Sequence, residues 1–333
     1  MRRGTAMKIL VTGSSGHLGE ALVRVLAAAG HQPVGLDCRP APFTTVTASL
    51  EDAGAMRAAM RGVAGVIHAA TLHKPHIGTH TRSQFVTTNV QGTLNVLEAA
   101  VAEGVGSFVM TSSTSVFGAA LTPPPGAPAA WVDETLAPVP KNIYGVTKLA
   151  AENLCELFAR TEKLAVVVLR TARFFPEADD DAALRGRYAD ANIKVNELLN
   201  RRADIEDIVE AHMLALERAS RIGFGRYIVS ATTPFRREDV ALLRTDAQAV
   251  LHRRAPLAMA EYARRGWTPF ATLDRVYDNT QARQALGWQP RHDFHAVLAR
   301  LAQLPEDADI RSPLAKIIGS KGYHDGGGSY PFL

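Results

Sequence analysis

The sequence predicts an α/β fold built around a doubly wound parallel sheet and followed by a smaller lobe. Short apolar runs rich in β-branched residues alternate with helical patterns through the first half of the chain, and the turns between them are short. A glycine-rich turn with the sequence TGSSGHLG, at residues 12–19, stands between the first strand and the first helix. The 333 residues, 47% of them hydrophobic, are enough to build a sizeable core.

The same patterns predict the elements in chain order. We expect strands at Met7–Thr12, Gln32–Leu36, Gly65–Ala69 and Ser107–Thr111, and helices at Glu20–Ala29, Ala53–Met60, Ser83–Glu103, Tyr144–Arg160, Ile208–Ala219 and Gln281–Leu286. We divide the chain into an N-terminal extension (1–6), a cofactor-binding domain (7–170), a substrate lobe interleaved with returning sheet elements (171–318) and a glycine-rich tail (319–333). The tail is either a disordered end or an arm that folds over the pocket or a partner subunit.

Composition and charge exclude several classes of protein. Lys and Arg number 37 against 33 Asp and Glu, a net charge of +4, but no basic run is interleaved with aromatic residues, so we expect no nucleic-acid partner. We expect no membrane span, because no apolar stretch reaches the required length of about 18 residues, and the N-terminus does not resemble a secretion signal. Cys38 and Cys155 cannot form a disulfide framework, which suits the cytoplasm.

The turn at residues 12–19 has the spacing of a dinucleotide-binding loop in a Rossmann-type fold. Gly13 permits the tight turn, Gly16 lets the backbone approach a pyrophosphate, and Gly19 lets the helix pack close to the strand. Asp37 ends the second strand, at about the ~20-residue spacing expected for an acid that bonds a ribose hydroxyl. A carboxylate there repels a 2′-phosphate and favours NAD over NADP, although Arg39 could receive the extra phosphate.

Three residues predict the chemistry. Tyr144 and Lys148 are spaced i, i+4 at the start of a helix, and Ser113 follows a strand end. We expect the ammonium to lower the phenol pKa so that Tyr144 exchanges a proton near neutral pH, with the Ser113 hydroxyl orienting the substrate oxygen. A solvated helix face is the alternative for Tyr144 and Lys148.

With these motifs the chain resembles the extended short-chain dehydrogenase/reductase family, in its NAD-dependent epimerase/dehydratase group. The matches span nearly the whole chain: residues 12–19, 68–70 (HAA), 89–93 (NVQGT), 112–118, 144–148, 169–170, 204–208 and 278–288. The resemblance implies that Tyr144 is the catalytic acid/base, that Lys148 holds the nicotinamide ribose and tunes Tyr144, and that Ser113 bonds the reacting oxygen. It also implies hydride transfer to or from the nicotinamide, and a homodimer formed by the helices that contain Asn89 and Tyr144.

The predicted contacts extend this assignment along the chain. The predicted NAD contacts are Gly13, Ser15, Gly16, His17, Leu18, Gly19, Asp37, Ser49, Leu50, Ala69, Ala70, Thr71, Asn89, Thr111, Tyr144 and Lys148. The predicted substrate contacts are His73, Ser113, Thr114 and Arg173, and no metal is expected.

Departures from the family pattern narrow the reaction. Thr114 and Ser115 stand where dehydratases carry acids, which disfavours water elimination and leaves dehydrogenation or epimerisation. Ser49 replaces a common aspartate near the adenine. Arg173 replaces an asparagine that contacts the sugar nucleotide, in a shortened lobe, and so suggests a smaller, carboxylate-bearing substrate. The alternative for Arg173 is a structural ion pair with the acidic run at residues 177–181.

Three histidines, His73, His76 and His80, follow the HAA motif. They could bind a metal, lie on a surface loop, or form a pocket wall with His73 nearest the nicotinamide. Pro75 and Gly78 forbid a regular helix that presents all three on one face, and a Tyr-dependent hydride transfer needs no Lewis acid. We therefore expect a variable loop that selects the substrate.

The leading hypothesis is an NAD-dependent oxidoreductase that acts on a secondary hydroxyl of a small sugar, sugar acid or polyol. The alternative enzyme is a nucleotide-sugar 4-epimerase, similar to UDP-glucose 4-epimerase, with tightly bound NAD. A redox-sensing or binding protein on the same fold is the non-enzyme alternative, which an intact set of Ser113, Tyr144 and Lys148 argues against.

Overall fold

A seven-stranded parallel sheet lies at the centre of the structure, a computed structural model that describes residues 6–179 and 181–320. The strands of this sheet are β1 (Lys8–Thr12), β2 (Gln32–Asp37), β3 (Val46–Thr47), β4 (Gly65–His68), β5 (Ser107–Ser113), β7 (Val166–Thr171) and β8 (Phe224–Val229). Their order is β3-β2-β1-β4-β5-β7-β8. Because the order reverses between β1 and β4, ligands are expected outside the carboxyl ends of these strands. The predicted doubly wound parallel sheet is confirmed.

Helices connect the strands and build the lobe. They are α1 (His17–Ala28), α2 (Ala53–Met60), α3 (Arg82–Val86), α4 (Gly92–Ala102), α5 (Ile143–Thr161), α6 (Ala182–Arg187), α7 (Asp190–Leu198), α8 (Ile205–Ile222), α9 (Val240–Leu243), α10 (Ala247–Arg254), α11 (Ala258–Arg264), α12 (Thr280–Leu286), α13 (Phe294–Leu301) and α14 (Pro313–Ile317). None of the helices in the described ranges is long and apolar enough to cross a membrane.

Both faces of the sheet are covered, and strand alternation divides the core between them. Ile9 and Val11 of β1 pack in a cluster with α1 and α8, whereas Leu10 packs in a second cluster with α2, α4 and α5. This two-residue period is what a strand buried on both faces requires.

The lobe has a core of its own. The strands β6 (Ala130–Val132) and β9 (Arg275–Tyr277) pair in a two-stranded parallel sheet, and α7, α10, α11 and α13 pack around Val195, Tyr262 and Phe294. Neither strand was predicted, because each is three residues long and pairs with a segment far away in sequence. The edge strand β8 was missed for a related reason, since four of its six residues are only partly buried.

The predicted helix at residues 83–103 is interrupted. One π-helical turn, Thr87–Gln91, separates α3 from α4 and contains Asn89. Such turns insert a residue into the helical ladder and are frequent at functional sites. The bounds of the other predicted elements differ from the observed ones by a few residues. The elements that were not predicted include β3, α6, α7, α9, α10, α11, α13 and α14.

Candidate active site

A cavity of about 1300 Å³ lies at the carboxyl ends of the central strands. Its walls come from the glycine turn, the ends of β2 and β5, the loop after β4, the start of α5 and the segment after β7. The predicted site residues that line it are Gly13, Ser15, Gly16, His17, Leu18, Gly19, Asp37, Ser49, Leu50, Ala69, Ala70, Thr71, His73, Thr111, Ser113, Thr114, Tyr144 and Arg173. Asn89 and Lys148 are buried behind this lining.

The glycine turn forms a cradle that side chains would fill. Gly13 has a φ of +79°, and a Cβ there would lie 2.8 Å from the backbone nitrogen of Ala70. A Cβ on Gly19 would collide with the Gly13 carbonyl. Gly16 is the N-cap of α1 and no side chain caps that helix, so its first amides are available to phosphate oxygens. The residues present therefore fit a dinucleotide pyrophosphate.

Asp37 stands at the end of β2, half-buried at the edge of the same cavity. Its carboxylate accepts hydrogen bonds from the backbone N–H groups of Ser15 and Arg39, each at 3.1 Å. The carboxylate retains acceptor capacity for the hydroxyls of an adenosine ribose. This position agrees with the preference for NAD over NADP.

Tyr144 is buried, and the Ser113 side chain lies near its phenol. The Ser113 Oγ also accepts a hydrogen bond from the Ser115 N–H at 3.1 Å. Burial raises the pKa of Tyr144 to about 12, and the nearby Ser113 hydroxyl offsets this rise only in part. The prediction of a lowered pKa was therefore wrong for the protein by itself, because the loss of hydration dominates.

Lys148 lies on the same face of α5, 2% exposed, so the alternative of a solvated helix face is wrong. Its Nζ donates to the Thr111 carbonyl oxygen at 2.7 Å. Burial lowers the pKa of Lys148 to about 8, opposed by the charge of Glu152 one turn away. The Thr111 hydroxyl in turn lies 2.8 Å from Nε2 of His212, a buried side chain on α8.

Asn89 links the loop after β4 to α5. Its Oδ1 accepts hydrogen bonds from the Leu72 N–H at 2.7 Å and the Thr71 hydroxyl at 2.9 Å. Its Nδ2 donates to the Leu72 carbonyl and to the Thr147 hydroxyl, each at 3.0 Å. With both ends of the amide engaged, Asn89 positions the cavity wall and does not line it.

His68 ends β4 below the cavity. Its ring nitrogens are hydrogen-bonded to the hydroxyls of Thr12 at 2.8 Å and Thr93 at 3.0 Å, and it is fully buried. Burial, with a smaller effect of the Lys148 charge, lowers the pKa of His68 to about 3. The side chain is therefore neutral at physiological pH.

The histidine loop places one imidazole beside Tyr144. The His73 ring centroid lies 6.0 Å from that of Tyr144 and 5.6 Å from that of Phe175, and burial lowers the His73 pKa to about 3. His76 accepts the His73 N–H at its Nδ1, at 2.8 Å. Within residues 6–179 and 181–320, no three His, Cys, Asp or Glu side chains are placed so that together they could hold a metal ion. This geometry supports the pocket-wall interpretation for His73.

Arg173 lines the cavity and is also held by acids. It pairs with Asp179, within the acidic run expected for the structural alternative, and with Glu197 at 3.2 Å. Burial would raise the pKa of Glu197, but Arg202, Arg201 and Arg173 outweigh burial and hold that pKa well below its usual range. Sequence reasoning missed Glu197, because it is an ordinary residue within a helical pattern.

Other lining residues were also missed. The segment after β7 and the lobe contribute Phe174, Phe175, Arg201, Arg275 and Tyr277, and the chain near its C-terminus contributes Gly319 and Ser320. The N–H groups of Gly319 and Ser320 donate to the Glu20 carboxylate at 3.2 and 2.8 Å. The rest of the predicted tail, residues 321–333, and most of the N-terminal extension lie outside the described residues.

The chain is similar to an epimerase, to an uncharacterized protein and to a short-chain dehydrogenase/reductase superfamily protein. A UDP-glucose 4-epimerase of Rhizobium meliloti is 26% identical over 331 residues, covering 87% of this chain and 94% of that protein. An uncharacterized protein, y4nG of Sinorhizobium fredii, is 32% identical over 169 residues, and the chain spans 39% of its length. A short-chain dehydrogenase/reductase superfamily protein from Agrobacterium tumefaciens, solved with bound NAD, has a TM-score of 0.63 and 26% identity, covering 89% of this chain and 96% of that one.

The match to a family model is broader than any motif. The model of the NAD dependent epimerase/dehydratase family covers residues 9–229, about two-thirds of the chain. This range runs from β1 to the end of β8 and includes the glycine turn, Ser113, Tyr144 and Lys148. The chain therefore belongs to the NAD-dependent epimerase/dehydratase family and is an NAD-dependent enzyme of that group.

Proposed function

We propose that the protein is an NAD-dependent oxidoreductase that acts on a secondary hydroxyl of a small sugar, sugar acid or polyol, with Tyr144 as the acid/base. One observation carries this proposal. The side chains of Tyr144 and Ser113 line the same cavity as the glycine turn, with Lys148 directly behind them. A substrate oxygen that reaches both hydroxyls would lie beside a cofactor held by that turn.

The protein groups have distinct tasks in such a reaction. Bound NAD supplies hydride chemistry at the nicotinamide ring. Ser113 orients the substrate oxygen, and Tyr144 exchanges its proton with that oxygen. Because burial keeps Tyr144 protonated, it can donate directly in the reducing direction, whereas the oxidising direction needs the Lys148 charge to stabilise a phenolate.

The residues after Ser113 favour redox chemistry without elimination. Thr114 and Ser115 form the turn that follows β5, and neither hydroxyl can remove a second proton at neutral pH. The carboxylates of the cavity lining are Glu20 on α1, Asp37 at the end of β2 and Glu51 after β3, all at the end of the cavity that contains the glycine turn.

A 4-epimerase is the second candidate. The relative from Rhizobium meliloti, named UDP-glucose 4-epimerase, aligns over 87% of this chain and favours this reading. An epimerase keeps its NAD and returns the hydride to the same substrate, so no net reduction of added NAD occurs.

A panel of sugars, sugar acids, polyols and UDP-sugars, assayed by NADH absorbance and by product stereochemistry, separates the two candidates. We expect at least one small hydroxy compound to reduce added NAD, and Tyr144→Phe to abolish this reduction. NAD that survives gel filtration, together with interconversion of UDP-sugars and no reduction of added NAD, would assign the epimerase instead. Unchanged turnover in Tyr144→Phe would contradict the role of this residue.

We also propose a cytoplasmic homodimer formed through α4 and α5. Val86, just before the π-helical turn, and Val146 on α5 are 47% and 49% exposed, which suits a helical interface. Sedimentation analysis should give twice the monomer mass of 35.8 kDa, and a monomer mass at micromolar concentration would contradict the proposal.

A further inference from the structure

The cavity wall beyond strand β7 carries three guanidinium groups. Arg173, Arg201 and Arg275 all line the cavity, with side chains 22%, 24% and 15% exposed. We call these three residues the arginine wall. A charged wall facing a cavity that also contains Tyr144 and Ser113 indicates a substrate with a negative charge at some distance from its reacting hydroxyl.

Backbone pairing connects this wall to the catalytic strand. Ser113, the last residue of β5, is the register partner of Thr171 on β7. Two residues further on, the Arg173 N–H donates to the carbonyl of Arg201 at 3.2 Å. Arg201 therefore lies one segment away from the extension of β7.

The same pairing continues to Arg275. The Tyr277 N–H donates to the Asn200 carbonyl at 3.0 Å, and Asn200 Nδ2 donates to the Arg275 carbonyl at 3.0 Å. Because neighbouring segments lie about 5 Å apart, β9 is on the order of 10 Å from the extension of β7. A six-carbon acid together with an arginine side chain can bridge this distance.

Arg275 differs from Arg173 and Arg201 in how it is held. Arg173 is bound by Asp179 and Glu197 and has a structural role in keeping the wall together. Arg201 contacts the same two acids through NH2, at 3.4 and 2.8 Å. Arg275 donates through NH1 to Asp274 at 2.8 Å, whereas its buried Nε has no hydrogen-bond partner within the described part of the chain.

Arg275 pairs with one carboxylate, whereas Arg173 and Arg201 each pair with two, so Arg275 retains more N–H donors for an arriving acceptor. A planar carboxylate matches the fork of an arginine, with two parallel N–H···O bonds. We propose that Arg275, with Arg201 beside it, is the subsite that selects substrates carrying a carboxylate, while Tyr144 faces a secondary hydroxyl of the same molecule. This inference rests on the proposed function and narrows its substrate class to hydroxy acids of sugar size.

Direct binding tests the subsite without relying on turnover. Titration calorimetry would be done on the NAD-saturated protein with D-glucuronate, D-galacturonate and D-gluconate, each against a neutral counterpart: the corresponding amide for the two uronic acids and D-glucitol for gluconate. We expect at least one acid to bind tenfold or more tightly than its neutral counterpart, as a charge-assisted pair predicts. UDP and UDP-glucose form the phosphate arm of the same experiment.

Matched variants assign the preference to a residue. Arg275→Met should remove the discrimination between acid and neutral counterpart, and Arg275→Lys should retain part of it, because the charge stays while the fork is lost. Arg237→Met is the control, since Arg237 is 64% exposed and does not line the cavity. Thermal unfolding identifies any variant that fails to fold. If Arg275→Met does not fold, the preference for the acid is measured in Arg275→Lys instead, where it should be reduced.

Three outcomes would overturn the proposal: no acid preferred over its neutral counterpart, a preference that persists in Arg275→Met, or tight UDP binding without acid binding. The last would assign the wall to a diphosphate. Acid binding that persists in Tyr144→Phe, without turnover by the wild-type protein, would leave the subsite in place and contradict only the proposed reaction.

Discussion

Two walls of one cavity handle buried charge in opposite ways. One wall comes from the sheet, the loop after β4 and α5, and we name it the catalytic wall for its proposed role. His73, Ser113 and Tyr144 line the cavity, and His68 and Lys148 lie buried behind them. Burial moves the pKa of each titrating member toward its uncharged form. The arginine wall comes from the lobe and the segment after β7, and its members are permanently charged.

The difference follows from the same physical cost. Removing a charge from water is unfavourable, and a protein either neutralises the group or pairs it. On the catalytic wall hydroxyls and imidazoles are neutral and hydrogen-bonded, as proton exchange requires. On the arginine wall Glu197, fully buried, and Asp179 hold the guanidinium groups in place. One wall can therefore change protonation while the other keeps a fixed charge.

The largest stability effect is expected at the acid that holds the arginine wall. Glu197→Gln removes a buried carboxylate that pairs with Arg173, Arg201 and Arg202. Breaking a buried ion pair from one side costs about 3–5 kcal/mol, so we expect the free energy of unfolding, measured in urea, to fall by about that amount.

Glu238→Gln is the control for this change. Glu238 pairs with Arg254 but is 65% exposed, and solvent screens such surface pairs, so we expect little change in the free energy of unfolding. Equal losses in the two variants would contradict the view that Glu197 organises the arginine wall.

The next-largest effect is expected at Asn89, whose hydrogen bonds support the catalytic wall. Asn89→Ala leaves the N–H and carbonyl of Leu72 and the Thr147 hydroxyl without their side-chain partner. We expect a loss of about 2–3 kcal/mol in unfolding free energy, together with a raised KM for substrate, because the loop that carries His73 is released. Asn153→Ala, at an exposed position on α5, should leave both quantities nearly unchanged.

Lowering the pH should reduce the free energy of unfolding through the catalytic wall, at His68, more than through the arginine wall. His68 has a folded-state pKa of about 3, below its usual 6.5, so between these values the unfolded chain binds a proton that the folded chain does not. Neutral His68 makes its full contribution to the free energy of unfolding above pH 6.5. This contribution decreases as the pH falls and is smaller by about 2 kcal/mol at pH 5.

Urea unfolding at pH 7.5, 6.5, 5.5 and 5.0 measures how steeply the free energy of unfolding changes with pH. His68→Asn should be less stable at pH 7.5 but should show a flatter pH dependence, whereas His252→Asn, at an exposed position, should keep the wild-type slope. An identical slope in wild type and His68→Asn would mean that His68 is not the acid-sensitive group.

The smallest effect is expected at the histidine loop. His73→Ala together with His76→Ala removes part of the cavity wall near Tyr144, so we expect KM to change several-fold while the Kd for NAD stays within about twofold. Fluorescence titration with NAD gives the control value. A large loss of activity that added zinc restores would show that the loop binds a metal after all.

The nucleotide half of the molecule was predictable because its signals are local. The glycine turn, Asp37 and the i, i+4 spacing of Tyr144 and Lys148 each lie within one strand–turn–helix unit or one helical turn. Their positions in the cavity follow from the order of a parallel sheet, and the structure places them as that order requires.

Of the arginine wall only Arg173 was predicted, because the wall is assembled over long sequence separations. Arg275 lies about a hundred residues beyond Arg173, on a three-residue strand, and Glu197 has no local pattern that marks it as a buried acid. The error in the Tyr144 pKa has the same origin, since the degree of burial of a side chain is a property of the folded molecule.

The kinetic constants of two variants test the division between the walls most directly. With the acid that binds best, steady-state kinetics would be measured for Tyr144→Phe and Arg275→Met. We predict that Tyr144→Phe lowers kcat by about 10²–10⁴-fold with little change in KM, and that Arg275→Met raises KM tenfold or more with kcat nearly unchanged. The division of roles between the two walls would be contradicted if Arg275→Met lost as much kcat as Tyr144→Phe, or if Arg275→Met left KM unaltered.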